Sequence, residues 1–159
     1  MRHLRSLLIA AALMAPAGAP AQESLDYLDD RSSAARVILS LYNAINRHEY
    51  ARAWSYWGEG VLSDYEGFVA GFAATERVDV MLGEESVEGA AGSTYHSLAV
   101  AIAAYNIDGS VRIFAGCFLL RLVSPTIQEP PFRGLHIERG SLRASKLPLG
   151  EALPASCGE

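Results

Sequence analysis

Residues 94–123 read TYHSLAVAIAAYNIDGSVRIFAGCFLLRLV. Two long apolar segments flank Asp108-Gly109, and an Asp-Gly pair between such runs is the strongest short-range signal for a β-hairpin. Taken as a two-residue loop, it sets Tyr105 opposite Arg112, Ala101 opposite Gly116 and Leu98 opposite Leu119. A four-residue loop shifts these pairs but keeps the faces, because side chains alternate with a period of two. One face then carries Leu98, Val100, Ile102, Ala104, Ile113, Ala115, Cys117 and Leu119. The other carries Ala99, Ala101, Ala103, Tyr105, Arg112, Phe114, Gly116 and Phe118. Neither suits water along its whole length, so the rest of the chain is expected to cover both. The small centre of the second face has two readings. It floors a cavity rimmed by Tyr105, Phe114 and Phe118, or it lets a helix or a second subunit approach closely.

Downstream, Ser124 to Pro131 (SPTIQEPP) is a loop, since its prolines cannot donate to a central ladder. Leu135 and Ile137 alternate with His136 and Glu138 in a last strand ending near Leu142, and the tail beyond has no clear element. Upstream, Val78, Val80 and Leu82 alternate with Arg77, Asp79 and Met81 in a half-buried strand. Gly83 to Gly92 reads as a turn-rich connection with room for a short strand at residues 86–88. Before these the period is helical. Ser32 or Ser33 caps a helix to Arg47 with Val37, Ile38, Leu41, Tyr42 and Ile45 inward. A second helix spans Glu49 to Trp57. A third, capped by Ser63 or Asp64, runs to Ala74. Helices first and an antiparallel sheet afterwards is the α+β pattern.

Residues 1–21 combine Arg2 and Arg5, an apolar run from Leu7 to Met14 and the ending Ala19-Pro20-Ala21. That is the pattern of a secretory signal peptide cleaved after Ala21, too short to remain as a membrane span. Residues 22–31 follow as a flexible polar lead-in, 32–145 as the folded domain and 146–159 as a C-terminal tail. The expected location is the periplasm or the exterior. The formal net charge of −5 becomes more negative once Arg2 and Arg5 leave, and no basic run is present. Nucleic acid and anionic membranes are therefore not expected partners. Two cysteines remain, Cys117 and Cys157. In an oxidising compartment such a pair favours a disulfide, valued at roughly 4 kcal/mol by loop entropy. The alternative is a free, buried Cys117 and a frayed Cys157.

Several stretches resemble the small exported proteins of the nuclear transport factor 2-like superfamily. They are SAARVILSLYNAINRHEYARAWSYW, GFVAGFAATERVDV, EGAAGSTYHSLAVAIAA, FAGCFLLRLV and PPFRGLHIERGSL, between about Ser32 and Leu142. The most characteristic features are Tyr-x-x-Ile-Asn-x-x-x-Tyr-x-x-Ala-Trp, from Tyr42 to Trp54, and Gly-Ala-Ala-Gly-Ser-x-Tyr, from Gly89 to Tyr95. The resemblance implies a cone: three helices against a curved, mainly antiparallel sheet, with a cavity at the wide end. Relatives include ketosteroid isomerase, scytalone dehydratase, limonene epoxide hydrolase and non-catalytic modules. No catalytic motif of those enzymes aligns here residue by residue, and a fold alone does not carry a reaction.

An isomerase-like site needs a carboxylate base in an apolar cavity with a phenol or acid to stabilise an enolate. Asp64, Asp79, Tyr56, Tyr65 and Tyr95 are the available parts, but Asp79 reads as outward-facing and Asp64 as a helix cap. His96, at the mouth of the long strand, is the most interesting histidine; His48 and His136 read as solvated or structural. No two histidines have ligand spacing, so neither a metal nor a cofactor is expected. Trp54, Tyr56, Trp57, Tyr65, Phe68 and Phe72 form an aromatic store that packs the core or, with Tyr105, Phe114 and Phe118, lines a pocket for a small apolar ligand. Tyr56 and Trp57 are expected to be partly exposed. The favoured reading is an exported binding or scaffolding domain, with self-association into a homodimer or docking on an envelope protein as partner expectations. The alternatives are a cavity-based isomerase, dehydratase or hydrolase, and an accessory subunit of a cell-envelope complex.

Overall fold

The computed structural model describes residues 25–157, so the leader expected over 1–21 lies outside the described residues. Three helices come first: α1 (Ala34–Asn46), α2 (Tyr50–Trp54) and α3 (Tyr65–Ala70). The Ser33 side chain accepts from the Arg36 N–H and caps α1; Asp64 caps α3 through the Gly67 N–H. Val37, Ile38, Leu41, Tyr42 and Ile45 of α1 are buried, the stripe that its three-and-four spacing predicts.

The sheet follows as β1 (Thr75–Ala90), β2 (Ser93–Asn106), β3 (Val111–Val123), β4 (His136–Gly140) and β5 (Arg143–Ser145). All ladders are antiparallel, in the order β1-β2-β3-β4, with β5 also on β3. Register shifts between Thr75 and Arg77, Leu82 and Glu85, and Leu119 and Leu120 are the bulges that bend it. The result is the helices-then-curved-sheet α+β arrangement. Its core joins the α1 stripe to Tyr56, Val78, Leu98, Val100, Ile102, Phe118, Leu120, Leu135 and Ile137. Among the described residues no helix is long and apolar enough to cross a membrane.

The hairpin forms at Asp108-Gly109, but its register differs from the expected one. The loop has three residues, Ile107 to Gly109. The Asn106 N–H donates to the Ser110 carbonyl (2.9 Å), Asp108 Oδ1 accepts from the Ser110 N–H (2.9 Å), and Gly109 takes a φ of +81°. An odd loop moves β3 by one residue, so Leu98 faces Phe118, Ile102 faces Phe114 and Tyr105 faces Val111. A one-residue slip turns every side chain of the moved strand over. Phe114, Gly116 and Phe118 therefore join Leu98, Val100 and Ile102 on the core face, while Ile113, Ala115 and Cys117 join Ala99, Ala101 and Ala103 outside.

That outer face is covered from within the chain. Helix α4 (Leu149–Ala152), in the tail that was expected to lack structure, packs on β2 and β3. A Cβ on Gly83 would stand 3.0 Å from the Ala99 methyl and 3.3 Å from the Leu153 methyls, which shows how closely the tail is applied. Cys117 and Cys157 form a disulfide that holds it there. Ala99, Ala101 and Ala103 are buried, so small residues here admit a close neighbour and do not floor a cavity. The dimer expectation drew on this face, and its centre is occupied by the chain's own C-terminal segment.

Two further expectations change. Residues 83–90 complete β1 instead of forming a loose connection, and Ala91-Gly92, both at positive φ, make a two-residue turn into β2. Their polar sequence suits an edge strand whose side chains face water. The lead-in after Ser24 is tied down, not flexible. The Leu28 N–H donates to Asn43 Oδ1 (3.1 Å), the Asp30 N–H donates to Ser40 Oγ (2.9 Å), and Arg52 donates to the Leu28 carbonyl (2.6 Å).

Candidate functional site

Helix α2 ends early, and the residues after it join the sheet. The Ile137 N–H donates to the Tyr56 carbonyl and the Gly58 N–H donates to the Ile137 carbonyl, both at 2.8 Å, which sets Trp57 parallel to Ile137. A cleft of about 720 Å³ opens beside this seam. Its walls come from four places: Arg31 and Ser32 ahead of α1; Ser55, Trp57 and Gly58; His96 and Leu122 on the core face of β2 and β3; and Pro125 with residues 132–135 of the β3–β4 loop, continued by His136 at the start of β4. Gln128 gives that loop its shape. Its amide donates to the Val123 and Arg133 carbonyls (2.8 and 3.1 Å) and accepts from the Arg133 N–H (2.8 Å).

Among the described residues the wall carries Arg31, Arg133, His96 and His136 and no carboxylate. The compensating acids stand behind it. Arg133 is ion-paired with Glu59. His136 places Nδ1 2.8 Å from the Gly134 carbonyl and Nε2 3.0 Å from Glu138. His96 Nδ1 lies 2.6 Å from Glu85 Oε1. Arg31 meets neutral partners, donating to the Ser55 carbonyl (3.0 Å) and Oγ (2.8 Å), with its guanidinium over the Tyr56 ring at 4.5 Å. Among the described residues no carboxylate lies within ion-pair distance of it. The same residues hold no group of three or more His, Cys, Asp or Glu fit for a metal ion.

The residues singled out from the sequence are dispersed. Trp57 is half-buried on the cleft wall, its ring 6.1 Å from Phe118. Tyr56, expected to be partly exposed, is fully buried. Its hydroxyl donates to Asp29 (2.7 Å), and burial, then that carboxylate, pushes its pKa up. Trp54 meets Tyr65 and Phe68 edge-on, and Phe68 meets Phe72 likewise, at 5.3–5.5 Å. Phe72 and Phe114 line a second, smaller cavity of about 350 Å³ with Tyr42, at the turn end of the hairpin. Tyr105 lies on the outer face under Arg77, 3.9 Å from its ring centre. Asp64 caps α3, Asp79 is ion-paired with Arg77, and Tyr95 stacks near Arg121 at 5.7 Å. Only His96 among the weak catalytic candidates reaches the cleft, and no tyrosine lines it. Arg31 stood in no motif, and Phe132, Arg133 and Leu135 lay in a stretch that spoke only for the fold; the folding of the β3–β4 loop over the start of α1 brings them together.

No family model matches the chain, and no curated protein matches it. In structure it is similar to a chain assigned as the beta subunit of an aromatic-ring-hydroxylating dioxygenase from Novosphingobium aromaticivorans. The TM-score is 0.48 at 12% identity, covering 74% of this chain and 90% of that one.

Proposed function

We propose that the chain is an exported binding domain of the nuclear transport factor 2-like kind that holds a small apolar molecule in the cleft beside Trp57. The observation that carries this reading is the cleft itself. Its volume falls within the usual span of ligand sites, and apolar Trp57, Leu122, Pro125, Phe132 and Leu135 converge on it from separate segments. The Gln128 bonds give its loop wall a set shape before any ligand arrives. Export draws on the pattern of residues 1–21, and the Cys117–Cys157 disulfide agrees with an oxidising compartment. Native mass spectrometry of protein purified from its own host tests the reading. A retained small molecule is expected, and a charged plug in the wall, Leu122→Glu, should abolish its retention. Bare protein in both samples, with no thermal shift across a panel of apolar compounds, would overturn it.

The Glu85–His96 pair favours a second reading, acid–base chemistry in the same cleft. A carboxylate that orients Nδ1 leaves Nε2 to exchange a proton with a bound molecule. In that case a molecule incubated with the protein in deuterium oxide returns carrying deuterium on carbon, or altered in structure, and His96→Gln stops the change.

A further inference from the structure

We infer that the ligand of this cleft is a small monocarboxylate, its carboxylate gripped by Arg31 and His96 and its apolar body lying against Trp57, Leu122 and Phe132. The inference rests on the binding reading above and adds the chemical class. Of the four basic side chains on the wall, two are already engaged. Arg133 is neutralised by Glu59, and both ring nitrogens of His136 face oxygen acceptors.

The other two keep capacity for a ligand. Among the described residues Arg31 donates only to the carbonyl and hydroxyl of Ser55, and neither cancels its charge. A guanidinium has about five N–H donors in a planar fork that matches the two oxygens of a carboxylate. His96 is held at Nδ1 by Glu85, which in its ionised form only accepts, so Nδ1 carries hydrogen and Nε2 is the atom left for the cleft. A ring with hydrogen on both nitrogens donates Nδ1–H to Glu85 and Nε2–H to a ligand carboxylate. Among the described residues no acid on the wall repels such a ligand, although the chain as a whole is acidic. The attraction is therefore local, and the apolar wall takes the rest of the molecule.

Isothermal titration calorimetry on the mature chain tests this with two matched pairs, octanoate against 1-octanol and 4-phenylbutyrate against 4-phenylbutanol. Each acid is expected to bind about tenfold or more tighter than its alcohol, the scale of one charge-assisted hydrogen bond. Arg31→Met and His96→Gln should each remove most of that preference. Arg31→Lys, which keeps the charge but loses the fork, should retain part of it. Arg31 also ties Ser55, so if Arg31→Met does not fold, the acid–alcohol comparison on the unaltered chain decides. Acid and alcohol binding equally would overturn the inference and leave the binding reading standing. Binding of neither, with no other apolar compound taken up, would remove both.

Discussion

Replacing Gly116 with Ala tests how the sheet holds the cleft. Between β4 and β5, which pair with one edge of β3, the chain bulges in a short crossing over the face of this residue. An added Cβ would overlap the Ser141 carbonyl oxygen and stand 2.9 Å from its carbon and 3.2 Å from Leu142 Cα. All three atoms are backbone, so no side chain can swing aside. The Ser141 N–H (2.9 Å) and Oγ (3.1 Å) both donate to the Cys117 carbonyl and fix the crossing. Overpacking of this kind costs about 1–3 kcal/mol, and the upper half applies where backbone must move. Loosening the Ser141 hydrogen bonds adds about 1 kcal/mol. The stiffer unfolded chain returns about 0.4–1 kcal/mol. The net loss is about 2–3 kcal/mol, or a fall in Tm of roughly 4–12 °C for a chain of this size. Urea unfolding should show a lower midpoint with an unchanged slope. Gly89→Ala is the control, since an added Cβ there meets nothing within 4 Å, and it should stay within about 0.5 kcal/mol. A Gly116→Ala protein as stable as this control would refute the crossing, and with it the placement of β4, which carries His136 into the cleft.

Three other perturbations follow from the same packing. The Asn46 side chain accepts from the Val78 N–H (2.7 Å) and donates to its carbonyl (2.8 Å), joining the end of α1 to β1, so Asn46→Ala should cost about 2–3 kcal/mol in urea unfolding. Cys117→Ser with Cys157→Ser opens a loop of 40 residues, worth about 4 kcal/mol by chain entropy. Hydrogen exchange should then rise first in residues 149–157 and in β2 beneath them. Burial raises the Tyr42 pKa above its ordinary value of 10.0, so its contribution is intact below that pH and is lost as the unfolded chain ionises above it. Stability should fall by up to about 1.4 kcal/mol per pH unit there, and Tyr42→Phe should flatten that part of the curve.

The helices and the hairpin were legible because their signals are local. Ser33, Asp64 and the spacing of Val37, Ile38, Leu41 and Ile45 fix α1 and the start of α3 without help from distant residues. Asp108-Gly109 marked the turn but not the parity of its loop, since one pair serves loops of two or three residues. That single residue decided whether Phe114 and Phe118 faced the core. β1 was only half read because an exposed edge strand has no buried face to impose alternation on GEESVEG. Tyr56 looked exposed beside Gly58. Its hydroxyl meets Asp29, from the distant segment ahead of α1, as well as Arg52 one turn back on α2. The cleft was least legible, since Arg31, Trp57, His96 and Phe132 meet only when β3, its following loop and the start of α1 are in place. His96 was visible as a candidate, but its partner Glu85 lay in a stretch read as a connection.

The most direct test is an amide-shift titration of the isotopically labelled mature protein with 4-phenylbutyrate. If the cleft beside Trp57 is the binding site, the perturbed residues cluster at Arg31, Trp57–Gly58, His96, Leu122 and 132–136, and the Trp57 indole signal moves with them. Shifts centred on Tyr42, Phe72 and Phe114, around the smaller cavity, would contradict it.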